Sequence, residues 1–89
     1  MATAATLKKR YGKFSEGPYM KEVVVVEIVD DYDDINFVNI LMADPAYVRI
    51  SPVNYDAPVD TASAYLESGR VMITHAMVGR SYLVEVIGF

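Results

Sequence analysis

Apolar residues recur along this chain at every second position, and in places they do so on both parities. Between Met20 and Val29, the series Met20, Val24, Val26 and Ile28 alternates with Val23, Val25 and Val29, and each series is broken once by an acid. A period of two is the signature of a strand, whose successive side chains point to opposite faces. The pattern predicts strands over Met20–Val29, Ile35–Met42 and Tyr47–Ser51, the last stopped by Pro52. Asp30-Asp31-Tyr32-Asp33-Asp34 forms a turn-rich connector, and residues 53–59, with Asn54-Tyr55-Asp56 and Pro58, read as an irregular loop. Residues 60–68 fit two patterns. Asp60 as N-cap and Gly69 beyond the end suit a two-turn helix, whereas Ala62, Ala64 and Leu66 against Thr61, Ser63 and Glu67 suit a strand turning at Ser68-Gly69.

The C-terminal segment predicts a hairpin. Arg70–Val78 and Ser81–Ile87 flank Gly79-Arg80, a two-residue loop whose leading glycine fits a type II′ turn. That register would put Val71, Ile73, His75, Met77, Tyr82, Val84 and Val86 on a core face. The opposite face, which includes Met72, Val78, Leu83 and Ile87, is more than half apolar as well. Solvated sheet faces are usually polar. Two apolar faces in so short a chain imply central strands of a sandwich, or a surface that meets a partner.

Composition agrees with a β fold. Thirteen Val and six Ile stand against four Leu, with seven Tyr, and β-branched and tyrosine side chains suit a pleated surface. The expected fold is mainly β: a small single-domain antiparallel sandwich or barrel over residues 19–89, an N-terminal arm over residues 1–18, and at most one short helix. With 89 residues, the chain buries only about 60–65% of its unfolded surface, so small domains of this size lean on disulfides, metals or partner subunits. Cysteine is absent, which removes disulfides, thiolate metal sites and cysteine nucleophiles. Oligomerisation is the support that remains. No apolar h-region opens the chain and no apolar run exceeds four residues, so neither a cleaved signal peptide nor a membrane helix is expected.

Charge divides the chain. Met1–Lys13 carries Lys8, Lys9, Arg10 and Lys13 and no acid, whereas the other seventy-six residues hold four cations and all twelve carboxylates. Thr3 or Thr6 could cap a short helix in the arm ending at Gly12. The cations, interleaved with Tyr11 and Phe14, could grip single-stranded nucleic acid, or could lie on the acidic body of a neighbouring copy. The plain alternative is a solvated tail. Asp30, Asp31, Asp33 and Asp34 with Asn36 could chelate Ca²⁺ or Mg²⁺, but they lack the spacing of an EF-hand loop. A solvated acidic loop, or a docking patch for the basic arm of a second copy, accounts for them without metal. His75 could be a general base. On the predicted hairpin face it faces Val84 with no acid or serine beside it, which suits a buried or interfacial histidine better.

No phosphate loop, nucleophile elbow, zincin motif or paired-carboxylate constellation is present, and no cofactor and no catalysis are expected. The chain carries no family motif. A cysteine-free, tyrosine-rich β domain with surplus apolar faces and a charged arm has the profile common among small virion and assembly proteins, such as capsid-decorating or connector subunits of phages. The expected function is structural: binding to protein subunits, as a homo-oligomer or within a larger assembly, in a virion or the cytoplasm of the producing cell. The expected interaction residues are Lys8, Lys9, Arg10 and Lys13, the four aspartates 30, 31, 33 and 34, and Met72, Val78, Leu83 and Ile87. A nucleic-acid-binding accessory protein using Lys8-Lys9-Arg10 is the alternative, and a small inhibitor that adds a strand to a host enzyme is the third reading.

Overall fold

The alternating segments are strands, and inward positions form one core between two sheets. A computed structural model describes residues 2–30, 34–53 and 62–89. Its strands are β1 (Ala2–Ala4), β2 (Thr6–Glu16), β3 (Tyr19–Glu27), β4 (Ile35–Asn39), β5 (Pro45–Pro52), β6 (Ser63–Glu67), β7 (Arg70–Thr74) and β8 (Ser81–Gly88). Sheet A has the order β1-β4-β7-β6 and sheet B the order β2-β3-β8-β5. Every pairing is antiparallel except that of β1 with β4. The fold is an all-β sandwich, as the composition predicts, with no helix among the described residues.

The core consists of Val24, Val26 and Ile28 after β3, Val38 of β4, Val71 and Ile73 of β7, and Tyr82, Val84 and Val86 of β8, closed by Met42 and Ala76. Val48 and Ile50 of β5 and Ala64 and Leu66 of β6 pack against it. Burying each such aliphatic side chain is worth about 1.5–3 kcal/mol, which fixes the parity of every strand.

Several expectations are corrected. The N-terminal segment is extended and not the short helix that Thr3 or Thr6 could cap: it forms β1, bends at Ala5, whose N–H donates to the Phe37 carbonyl at 2.8 Å, and continues as β2. One strand thus supplies an edge to each sheet, a corner of the kind that joins packed sheets. Gly17-Pro18 closes a β2–β3 hairpin, with Glu16 opposite Tyr19, and Gly17 at φ 63° supplies the positive φ that a type II′ turn needs. Residues 63–67 are a strand, and the hairpin to β7 turns at Ser68 and Gly69, both at positive φ (51° and 76°) as a type I′ turn requires.

The predicted C-terminal hairpin does not form. β7 pairs with β4 and β6, and β8 pairs with β3 and β5, in the other sheet. β7 ends at Thr74, and His75 adopts a left-handed backbone (φ 59°) that takes the chain out of sheet A. The turn at Gly79 then docks on β3: the Gly79 N–H donates to the Ile28 carbonyl at 3.0 Å, and the Ile28 N–H donates to that of Arg80 at 2.9 Å. His75 and Met77 are therefore exposed, not core. Val71, Ile73, Tyr82, Val84 and Val86 are core as expected, because parity within a strand holds whichever strand it pairs with.

Candidate interaction surface

Three cross-strand rows fill most of the outward face of sheet B, and Thr6, Glu27 and Ser81 form a further row at one end. Lys9, Val25, Leu83 and Ser51 lie across β2, β3, β8 and β5; Gly12, Val23, Glu85 and Arg49 form the next row; Lys21, Ile87 and Tyr47 lie across β3, β8 and β5 in the third. Val23, Val25, Leu83 and Ile87 form a half-exposed aliphatic centre, and Tyr47 beside it is 56% exposed. Glu85 accepts from Lys21 Nζ at 3.5 Å and from Arg49 Nη2 at 3.4 Å, so an ion triad crosses three strands through the centre of the face. Exposed pairs of this type are worth about 0–1 kcal/mol each. They set the polarity of the surface more than its stability.

Beside this face runs the edge of the sheet, and the basic segment forms it. β2 carries Lys8, Lys9 and Lys13, and register shifts interrupt it between Leu7 and Lys9 and again between Arg10 and Gly12. Lysines and bulges are the devices that keep edge strands from pairing with other chains. Lys9 Nζ stands 5.1 Å from the centre of the Tyr11 ring, and both residues are exposed.

Arg10 does something else. The bulge at Lys8 shifts parity, so Arg10 opposes Val24 on the inward side. Its guanidinium pairs with the Glu22 carboxylate, whose side chain is fully buried, and Nη2 donates to the Asn39 carbonyl at 3.1 Å. Glu22 also accepts from the backbone N–H groups of Leu41 and Met42, each at 2.9 Å. One carboxylate thereby ties β2 and β3 of sheet B to the end of β4 in sheet A. Arg10 belongs to this seam and leaves the basic cluster. The readable signal was parity: Glu22 shares the inward series of Val24, Val26 and Ile28, and a buried acid there calls for a cation.

The remaining candidates lie apart from this face. Asn36 is buried, and its side chain is a structural anchor: Oδ1 accepts from the N–H groups of Val29 at 3.1 Å and Asp30 at 3.0 Å. Asp34 is exposed, Asp30 is half-buried, and Asp31 and Asp33 lie outside the described residues. Among the described residues, no three His, Asp or Glu side chains assemble into a group that could hold a metal. Met72 is corrected as an interaction residue: it is 3% exposed, set between Phe37 and Tyr65 across sheet A. Val78 is exposed at a turn, not on a strand. Leu83 and Ile87 stand on the outward face as described. His75 Nδ1 lies 3.3 Å from Thr74 Oγ1, on an exposed bend. Comparison of the chain with models of known protein families, with curated proteins and with solved structures finds no match.

Proposed function

We propose that the chain is a non-enzymatic structural protein, of the capsid-decorating or connector type, that binds other protein subunits through the outward face of sheet B. The observation that carries this reading is the aliphatic centre Val23, Val25, Leu83 and Ile87, half-exposed and flanked by Tyr47. A solvated sheet face would alternate to polar side chains at these positions. Half-exposed aliphatic side chains on either side of an ion triad, with a tyrosine beside them, make an apolar patch of the kind that meets a protein partner. The test is native mass by light scattering over a concentration series. The wild type is expected above the 9.9 kDa of one chain, and Leu83→Asp, with an unchanged circular dichroism spectrum, is expected at one chain. A wild type that stays at one chain throughout, in low salt and in about 1 M salt where screening shortens to ~3 Å, defeats the reading of self-assembly.

A second reading has one observation in its favour. Lys9 over the Tyr11 ring, beside Lys8, is a cationic and aromatic strand edge suited to single-stranded nucleic acid. Arg10 is withdrawn from it by Glu22, which leaves few cations for a phosphate backbone. Mobility shift at low salt decides: binding abolished by Lys8→Ala with Lys9→Ala, at unchanged native mass, favours this second reading. Strand addition to a host enzyme has the least support, because bulges and lysines interrupt the β2 edge.

A further inference from the structure

Charge gathers in sheet B and in the connectors, whereas the strands of sheet A carry only Glu67 and Arg70. The four strands of sheet B carry six of the eight cations and four of the twelve carboxylates, whereas the rest of the chain carries Arg70 and Arg80 and the other eight carboxylates. Arg10 and Glu22 pair inside the seam; the outward face holds Lys9, Lys21 and Arg49 against Glu27 and Glu85, with exposed Lys8 on its edge, a positive surplus on a chain whose net charge is −4.

A second exposed apolar site lies at one end of the sandwich. Val29 is exposed just past β3, and the hydrogen bonds between Ile28 and residues 79 and 80 bring the turn containing exposed Met77 and Val78 alongside it. Asp30, held by Asn36, directly follows Val29, exposed Asp34 immediately precedes β4, and half-buried Arg80 lies within the turn. The tip is an apolar knob with an acidic segment next to it in the chain. The outward face of sheet B is an aliphatic patch crossed by the Lys21–Glu85–Arg49 triad, with Lys8 and Lys9 along its β2 edge and Glu27 at one end. The two are opposite in the sign of their surplus charge and alike in apolar character, and they lie at different places on one molecule.

We infer that a second copy of this chain docks head to tail, its Val29–Met77–Val78 tip seated on the Val25–Leu83 face. The inference rests on the reading of sheet B as an assembly surface and adds the occupant and the direction. Face-to-face pairing would set two cation-rich edges together, and like charges across an interface are disfavoured. A head-to-tail contact is heterologous, so it propagates into a ring or a filament and does not stop at a dimer.

This geometry has a distinctive test. Leu83→Asp spoils the face and leaves the tip; Met77→Asp with Val78→Asp spoils the tip and leaves the face. Each folded variant alone is expected at the mass of one 9.9 kDa chain, while an equimolar mixture retains one competent interface and forms a capped two-chain species. Asp34→Lys in the wild-type background is expected to raise the concentration needed for assembly. A mixture that stays at one chain while the wild type assembles overturns the head-to-tail contact and leaves the assembly reading standing. So does continued assembly of the tip variant alone. A wild type that never exceeds one chain overturns both.

Discussion

Glu22 shows how much of this fold turns on one side chain. Its carboxylate is buried, and its oxygens take the guanidinium of Arg10 and two backbone N–H groups. Removing Arg10 leaves the Glu22 carboxylate buried without its counter-charge, and breaking a buried pair in this way typically costs about 3–5 kcal/mol, less here because Arg10 itself is partly exposed. Glu22→Ala strips the Leu41 and Met42 amides as well, so it is expected to cost more than Arg10→Met. For a domain of this size each kcal/mol lowers the melting temperature by roughly 4–8 °C, and thermal unfolding followed by circular dichroism measures both. Equal, small effects of the two substitutions, under about 1 kcal/mol, would mean that the seam is solvated and not a buried pair. Glu22→Met with Arg10→Met is expected to recover much of the loss, because an apolar replacement of a buried pair removes the desolvation cost with the attraction. The same scale explains Asn36. Its side chain satisfies two amides where the chain leaves β3, so the residue that the sequence offers as a cation ligand is occupied with the backbone.

Strands and their faces were legible in the sequence; their partners were not. Parity is a local property, and it placed Val71, Ile73, Val84 and Val86 inward without any knowledge of pairing. Pairing is long-range, and Gly79-Arg80 is a local turn signal that competes with it. At Thr74 the chain leaves sheet A instead of folding back, since β7 already has β4 and β6 as neighbours. The seam was hidden for a related reason. A bulge at Lys8 inverts the parity of Arg10, and nothing in the pattern Lys8-Lys9-Arg10 marks which cation turns inward. Gly88 is a further case of contact decided by tertiary structure. It occupies an inward position of β8, and a Cβ there would run into the Asp44 carbonyl oxygen and lie 2.6 Å from Met42 Sδ and 2.9 Å from Pro45 Cα. Backbone cannot yield as a flexible side chain can, so Gly88→Ala is expected to cost about 1–3 kcal/mol. Chemical denaturation reads this as a lower midpoint at unchanged slope. An unaltered midpoint would show that the Asp44–Pro45 segment moves away freely.

For the whole molecule, the basic segment has two jobs that can be separated. As part of the sandwich, β1 and β2 edge both sheets, and β2 delivers Arg10 to the seam. As a surface, the same strand borders the proposed docking face with exposed Lys8 and Lys9. Deleting residues 1–13 removes β1, most of β2 and the counter-ion of Glu22 at once. A small domain has a stability of only about 5–15 kcal/mol to lose. The truncated chain is therefore expected to unfold, losing its strand spectrum, and so it cannot report on assembly. Lys8→Gln with Lys9→Gln keeps β2 and Arg10, and is expected to keep the fold within about 0.5 kcal/mol, as surface substitutions usually do. That double variant isolates the surface role: it should assemble at higher concentration than the wild type, and the difference should vanish in about 1 M salt, where charges are screened beyond ~3 Å. Should the truncated chain stay folded, β1 and β2 would be an accessory to a sandwich complete without them. Should the double variant assemble as the wild type does at low salt, the two lysines would act only as guards of the β2 edge, and the aliphatic face would hold its partner without electrostatic help.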